Sequence, residues 1–160
     1  HTLGPGSIIV ETQQQSDTTY RLYDYGRPRE LHLERGLSVI KENARSGKVR
    51  PLAPQNLNGS GSRQQQLVAS SYFAVEKYEL MSPHQFDAGT GRSSAQILVA
   101  TAGEGRLSAP GHDAVRFAKG DALVIPANIA QFAVQPERNV QFIRSFVPGN
   151  AVSDPEIVNS

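Results

Sequence analysis

The sequence predicts a mainly β domain, an antiparallel sandwich or barrel, preceded by a β-hairpin and one helix. Fourteen Gly and ten Pro among 160 residues supply many turn positions. The second half is a series of short apolar or alternating segments, and Gly, Pro, Asn or Asp separates most of them. A convincing helical pattern occurs in one place, before this series.

The composition excludes several classes of function. Cysteine is absent, so thiol catalysis, thiolate metal sites and disulfides are excluded. Sixteen basic and fifteen acidic side chains nearly balance, and we expect neither a nucleic acid nor a membrane surface as partner. We find no signal peptide or membrane-spanning apolar run, and we expect a cytoplasmic location. Because His1 stands first in place of Met, we expect a fragment or a processed chain.

The N-terminal region predicts a hairpin of two strands, Ser7–Gln15 and Thr18–Tyr25. Both are β-branched at their start and then alternate, and the polar residues 15–17 supply the turn. Pro28 ends the second strand because it cannot donate to a ladder. A helix is predicted over Glu30–Ala44, where four apolar residues share one face although Gly36 costs about 1 kcal/mol relative to Ala. These four are Leu33, Leu37, Ile40 and Ala44.

Residues 46–66 lack periodicity and are rich in Pro, Gly, Ser, Asn and Gln, which predicts a linker. The chain therefore divides into residues 1–45, the linker 46–66, a domain over 67–150 and a tail over 151–160. In that domain we expect eight strands: Val68–Phe73, Ala74–Leu80, Gln96–Thr101, Gly105–Ala109, Ala114–Phe117, Ala122–Ile125, Gln131–Val134 and Val140–Phe146.

The segment Gly120–Gln131 resembles the second motif of the cupin superfamily, whose fold is a small jelly roll or double-stranded β-helix. The motif's Gly-Asp turn and its later Pro match Gly120, Asp121 and Pro126, and Asn128 stands at its turn Gly. Gln131, however, stands where the family has a metal-binding His. Gln96 and Gly103 have the spacing of the family's first motif, but Gln96 stands where the family has a metal-binding Glu.

The resemblance therefore implies a cupin domain that has lost its metal site. His84 and His112 do not restore it, because each sits in a turn without a second donor at strand spacing, and we expect both to be solvated. Lys119, Gly120 and Asp121 are interpreted as turn residues that serve conformation.

The N-terminal sequence motifs are more specific than the cupin pattern. H-T-L-G-P-G (His1–Gly6), Glu11 and S-D-T-T-Y-R-L-Y-D-Y-G-R (Ser16–Arg27) resemble the type I phosphomannose isomerases, and Arg29–Leu37 and Tyr72–Leu80 are also similar to this family. Its members are zinc-dependent mannose-6-phosphate isomerases with two cupin units and a helical insertion. Residues 1–45 would then be the end of the catalytic cupin, and residues 67–150 the degenerate C-terminal one.

The resemblance implies a role for five residues. His1 stands at one of four zinc ligands, and the other three, a Gln, a His and a Glu, lie in an upstream half that this chain does not contain. Arg21 matches the catalytic arginine. Glu11 and Asp17 match acidic positions at the sugar site, and Arg27 occupies a basic position that could meet the substrate phosphate. From the residues alone, Arg21 either lines a groove beside Tyr23 or pairs on the surface with Asp17 or Glu11.

The implied reaction interconverts mannose 6-phosphate and fructose 6-phosphate through an enediol. Zinc would act as a Lewis acid, and Arg21 would add fixed positive charge where negative charge develops. We expect this chain alone to hold no zinc and to be inactive, because it has four His and only His1 stands at a ligand position. Expected partners are a sugar phosphate, the missing N-terminal half and a second copy that pairs through the exposed hairpin strands.

Two other interpretations remain open. One is a non-enzymatic, metal-free cupin that binds a sugar or mediates assembly, which the glutamines at 96 and 131 favour. The other is a metal-dependent cupin oxygenase or another small cupin enzyme, which the missing His pair near Gln96 disfavours. Zinc titration would separate them, as would an upstream reading frame with a Gln-x-His pair and a later Glu.

Overall fold

A computed structural model of the 160-residue chain describes residues 3–13, 15, 18–40, 51–57, 61–91 and 93–149. The chain forms two compact units. The first comprises His1–Thr12 and Val49–Ser160, and the second Gln13–Lys48. In the described ranges, no helix is long and apolar enough to cross a membrane.

The first unit is a sandwich of two antiparallel sheets. One sheet has six strands in the order β1-β2-β3-β10-β5-β8, and the other has four in the order β4-β9-β6-β7. The strands are β1 Gln55–Leu57, β2 Ser62–Ala69, β3 Ala74–Leu80, β4 Phe86–Gly89, β5 Gln96–Ala102, β6 Glu104–Ser108, β7 Val115–Ala118, β8 Ala122–Ile125, β9 Gln131–Pro136 and β10 Val140–Phe146. The predicted mainly β antiparallel architecture is confirmed.

The core lies between the two sheets, and the strands alternate buried and more exposed residues as a one-sided sheet requires. In β9 the buried positions are Phe132, Val134 and Pro136. In β10 they are Val140 and Phe142, both fully buried. The Tyr78 ring stacks on Phe142 with the ring centroids 5.0 Å apart.

At two turns, the backbone conformation explains which residue type occupies the position. Gly103, between β5 and β6, has φ +74°, and a Cβ there would lie 1.9 Å from the carbonyl oxygen of Asn139. Only glycine fits both the left-handed backbone and this close approach. Gly120 has φ +98°. The next residue, Asp121, accepts a 2.8 Å hydrogen bond at Oδ2 from the Ala118 N–H, which confirms that Gly120 and Asp121 serve the turn.

The predicted linker differs from the structure. Its second half contains β1 and the start of β2, which pair antiparallel with Gln55 opposite Gln64 and Leu57 opposite Ser62. The sequence analysis read Asn58-Gly59 as linker composition, although this pair is a common hairpin-turn signal. A strand was also missed at Phe86–Gly89, where only two apolar residues alternate with Asp87 and Gly89.

Neither unit has a strand among the described residues of 3–13, 15 and 18–40, so the described parts of Ser7–Gln15 and Thr18–Tyr25 do not form the predicted strands, while residues 14, 16 and 17 lie outside the description. A two-stranded hairpin is marginal without a covered face. Here Tyr20 and Leu22 on one predicted face, and Tyr23 and Tyr25 on the other, are all exposed. Neither face has the burial that would hold the strands in register.

The helix α1 spans Leu33–Ser38 and is shorter than predicted at its N-terminal end. Residues 41–44, in the last part of the prediction, lie outside the described residues. The apolar face that the pattern describes is not covered at its described residues, because Leu33, Leu37 and Ile40 are about half exposed or more. The buried residue is Gly36, whose absent Cβ would lie 2.4 Å from Cδ2 of Leu22, so the helix packs through its smallest residue.

Candidate functional site

Arg21 lies in an irregular segment of the second unit and is held by its main chain. Its backbone N–H donates to Nδ1 of His32 over 3.2 Å, and its carbonyl oxygen accepts from the His32 N–H over 2.8 Å. The His32 and Tyr20 rings meet edge to face, with centroids 6.1 Å apart. This two-way pair fixes the backbone from which the Arg21 side chain projects.

The Arg21 side chain is 26% exposed and lies beside a carboxylate. Its Nη1 donates to the carbonyl oxygen of Glu30 over 3.2 Å, and its Nε lies 3.9 Å from Oδ1 of Asp24. The structure thus pairs Arg21 with Asp24, whereas the sequence analysis offered Asp17 or Glu11. Guanidinium donates up to five hydrogen bonds in a fixed fork, so Arg21 retains donors for an anionic ligand.

Asp24 is the centre of this local cluster and is a residue that the sequence analysis missed. It is buried, and the Arg29 side chain contacts both its oxygens, with Nε donating to Oδ2 over 2.7 Å and Nη2 to Oδ1. The Arg29 hydrogen bond lowers the pKa of the Asp24 carboxyl below its ordinary value, and the nearby charges of Arg21 and Arg27 add to this effect. The carboxylate is therefore ionised and satisfied by Arg29.

Of the other predicted site residues, Arg27 is a described residue of the second unit. Arg27 is exposed, and only its backbone N–H reaches the Asp24 carbonyl oxygen, over 2.9 Å. Glu11 is exposed and belongs to the first unit. His1 and Asp17 lie outside the described residues.

The two glutamines of the cupin motifs both lie next to Gly89 in the first unit. Gln96 is 2% exposed, and its Nε2 donates to the Gly89 carbonyl oxygen over 2.8 Å. Gln131 pairs with Gly89 across β4 and β9 and is exposed on the wall of a groove of about 800 Å³. The two positions thus lie near the same residue, with Gln96 turned inward and Gln131 at the surface.

No three His, Cys, Asp or Glu side chains among the described residues are grouped closely enough to hold a metal ion. His84 and His112 are both exposed in loops, as predicted. A zinc ion therefore does not fit the described part of this chain, where no three imidazole or carboxylate groups come together, as zinc requires.

A family model of the mannose-6-phosphate isomerase cupin domain matches residues 63–147, more than half of the chain. The chain belongs to the mannose-6-phosphate isomerase cupin family. The family's domain coincides with β2–β10, the part of the chain in which the strand pattern predicted from sequence is best followed.

Longer proteins resemble more of the chain than this domain. A mannose-6-phosphate isomerase of Streptococcus mutans is 35% identical over 136 residues, covering 81% of this chain and 40% of the relative. Mannose-6-phosphate isomerase ManA of Bacillus subtilis is 31% identical over 147 residues, covering 84% of this chain and 42% of the relative. The chain thus spans about two fifths of the length of these curated relatives.

Solved structures agree with this family. A mannose 6-phosphate isomerase from Bacillus subtilis matches with a TM-score of 0.64 and 25% identity, covering 81% of this chain and 40% of the other. An RmlC-like cupin from Shewanella frigidimarina matches the fold with a TM-score of 0.51 and 15% identity, over 60% of this chain and 83% of the other. The predicted cupin jelly roll is confirmed.

Proposed function

We propose that this chain is the C-terminal part of a mannose-6-phosphate isomerase, which interconverts mannose 6-phosphate and fructose 6-phosphate through an enediol. The length over which the chain aligns with longer relatives supports this proposal most directly. The Streptococcus mutans relative aligns over 136 residues, whereas the cupin domain accounts for only residues 63–147. The alignment therefore runs well beyond the cupin domain into the other parts of the chain.

Arg21 is the residue through which the chain contributes to the reaction. Removing a proton from C2 of the open-chain sugar places negative charge on the enediolate oxygens, and a fixed guanidinium stabilises such charge better than water does. The pair with His32 holds the Arg21 main chain in place. Arg29 satisfies the Asp24 carboxylate, and Arg21 would exchange its hydrogen bond to the Glu30 carbonyl oxygen for one to a substrate oxygen.

The remaining site residues belong to the proposal by resemblance. Arg27 is exposed and is proposed to meet the substrate phosphate, for which its planar, permanently charged guanidinium is suited. Glu11 is exposed as well, and we assign it, with Asp17, to the sugar side of the site. His1 is proposed as one zinc ligand, with a Gln, a His and a Glu from the part of the relatives' length that this chain does not span.

The proposal includes three features of the intact protein. Its metal is zinc, which acts as a Lewis acid when bound. Its location is the cytoplasm. Its partners are the N-terminal half and a second copy. The dimer contact is not assigned to hairpin strands, because the described residues form none, and the exposed apolar side chains of α1 are proposed to meet the N-terminal half.

Site-directed variants of the intact reading frame test the role of Arg21. We expect Arg21→Ala to lower kcat by about 100-fold or more, the usual cost of removing one oxyanion-stabilising donor. Arg63→Ala is the matched control, because this exposed arginine of β2 pairs with Glu79, over 3.4 Å, and kcat of this variant should change less than about twofold. Unchanged kcat in the folded Arg21→Ala protein would refute the assignment.

The competing hypothesis is a metal-free cupin that binds a sugar without catalysis. Gln96 faces inward and uses its side chain for internal hydrogen bonds. This position therefore favours a metal-free role for the first unit. This hypothesis predicts that the intact reading frame binds mannose 6-phosphate in calorimetry without converting it, while the isomerase predicts conversion.

A further inference from the structure

One end of the sandwich interior of the first unit is polar. Glu76 of β3, Gln96 of β5 and Arg144 of β10 stand on the inward-facing rows of their strands, in step with buried Tyr78 and Phe142. Glu76 is directly opposite Arg144 across β3 and β10. The two side chains are only 13% and 12% exposed, so this is an interior charge pair.

Oxygen atoms converge on the Arg144 guanidinium from three strands and both sheets. Nε donates to Oε1 of Gln96 over 2.8 Å, and Nη2 donates to the Gly89 carbonyl oxygen of β4 over 3.2 Å. Nη1 donates to Oε2 of Glu76 over 3.4 Å and to the Tyr78 hydroxyl over 3.3 Å. Each of the three nitrogens thus meets an oxygen, and the Phe146 ring lies over the central carbon, 4.6 Å from it.

The acceptors are themselves held in place. The Tyr78 hydroxyl donates to Glu76 over 2.7 Å, and Gln96 donates to the Gly89 carbonyl oxygen. Burial, and then the neighbouring Glu76 carboxylate, raises the pKa of Tyr78, which keeps it a neutral donor. The set comprises a carboxylate, a phenol, an amide oxygen, a backbone carbonyl and a ring face, which together suit a flat organic cation.

We propose that this cluster is a cation-binding site that the chain occupies with its own Arg144, and that it accepts a free guanidinium when the side chain is removed. The cluster, here called the guanidinium site, consists of Glu76, Tyr78, Gly89, Gln96 and Phe146. One carboxylate and no imidazole make it a poor transition-metal site. The proposal goes beyond the isomerase function and does not depend on it.

Truncation of the arginine followed by chemical rescue tests the guanidinium site. Arg144→Ala leaves Glu76 without its counter-charge in the interior, and we expect the melting temperature of the 160-residue chain to fall by about 10 °C. Methylguanidinium chloride at about ten times its dissociation constant should then raise the melting temperature of the variant by about 3–5 °C. Equal concentrations of methylammonium chloride and sodium chloride should raise it by less than about 1 °C, because neither cation presents a planar fork.

Two controls make the result specific. The wild-type chain, whose site is filled, should show no methylguanidinium stabilisation. Arg63→Ala, which removes an exposed guanidinium from the pair with Glu79, should lose less than about 3 °C and show no rescue. If Arg144→Ala is unfolded alone, methylguanidinium should restore its folded circular dichroism spectrum. A variant that melts like wild type, or that gains nothing specific from methylguanidinium whether folded or not, would overturn the proposal.

Discussion

At the scale of single residues, Asp24 and Arg29 form an ion pair at the centre of several contacts in the second unit. Arg29 contacts both carboxylate oxygens, the carbonyl oxygen of Asp24 accepts from the Arg27 N–H, and Nε of Arg21 lies 3.9 Å from Oδ1. The sequence analysis passed over Asp24 because it treated residues 18–25 as a strand. The signal that was available is the crowding of three arginines within five residues of one acid.

Replacing Arg29 tests this pair through the acidity of Asp24. The Arg29 hydrogen bond holds the pKa of Asp24 below 3.8, so its stabilisation is present above that pH and is lost as the pH falls through the folded-state pKa. We expect Arg29→Met to raise the Asp24 pKa toward 3.8, measured by carbon-detected NMR titration of the carboxyl group.

The control for this titration is Arg106→Met. Arg106 donates to Glu137 over 2.6 Å, and this hydrogen bond, with that of Arg116, lowers the pKa of Glu137. The control should therefore raise the Glu137 pKa and leave that of Asp24 unchanged. An Asp24 pKa that stays the same in Arg29→Met would show that the pair does not exist in solution.

At the scale of elements, sequence patterns predicted the strands that are rich in β-branched, aromatic and other apolar residues. Strands β3, β8 and β10 have the predicted bounds for this reason, although Glu76 and Arg144 interrupt the apolar rows of β3 and β10. The N-terminal hairpin was wrong because its alternation placed tyrosines on both faces, and such a pattern does not specify which face is covered. The Arg144 cluster could not be predicted from the sequence either, since an arginine inside a strand normally indicates a solvent-facing position.

At the turn between β5 and β6, glycine is required both by a left-handed backbone conformation and by a close backbone neighbour. Two variants distinguish these requirements. Gly103→Ala adds a Cβ 1.9 Å from the backbone oxygen of Asn139 at φ +74°, whereas Gly111→Ala adds one at φ +75° with nothing within 4 Å. We expect Gly111→Ala to cost about 1 kcal/mol for the left-handed backbone alone. Gly103→Ala should cost about 3–5 kcal/mol, because a backbone neighbour cannot move aside.

Urea unfolding of the two variants measures this difference in the free energy of unfolding. Equal losses would mean that the close approach at Asn139 is absent in solution and that the backbone conformation alone requires the glycine. A larger loss in Gly103→Ala establishes that β5 and β6 meet the loop before β10 as closely as the structure describes.

At the scale of the whole molecule, the two units differ in their apolar cores. The first unit has a core between its two sheets, whereas no large apolar side chain is buried among the described residues of the second unit, where Tyr23, Leu33 and Leu37 are exposed. The chain also spans about 40% of the length of its Streptococcus mutans relative. Both observations support the proposal that residues 1–45 complete a catalytic unit supplied mainly by other sequence.

The most direct measurement is the rate at which the protein of the intact natural reading frame, supplied with zinc, converts mannose 6-phosphate to fructose 6-phosphate. A coupled assay should show turnover in both directions, and the 160-residue chain measured beside it should show none, because it carries Arg21 without a complete set of zinc ligands. A folded, zinc-loaded protein that binds the sugar phosphate without converting it would contradict the account, and so would full activity of the 160-residue chain alone.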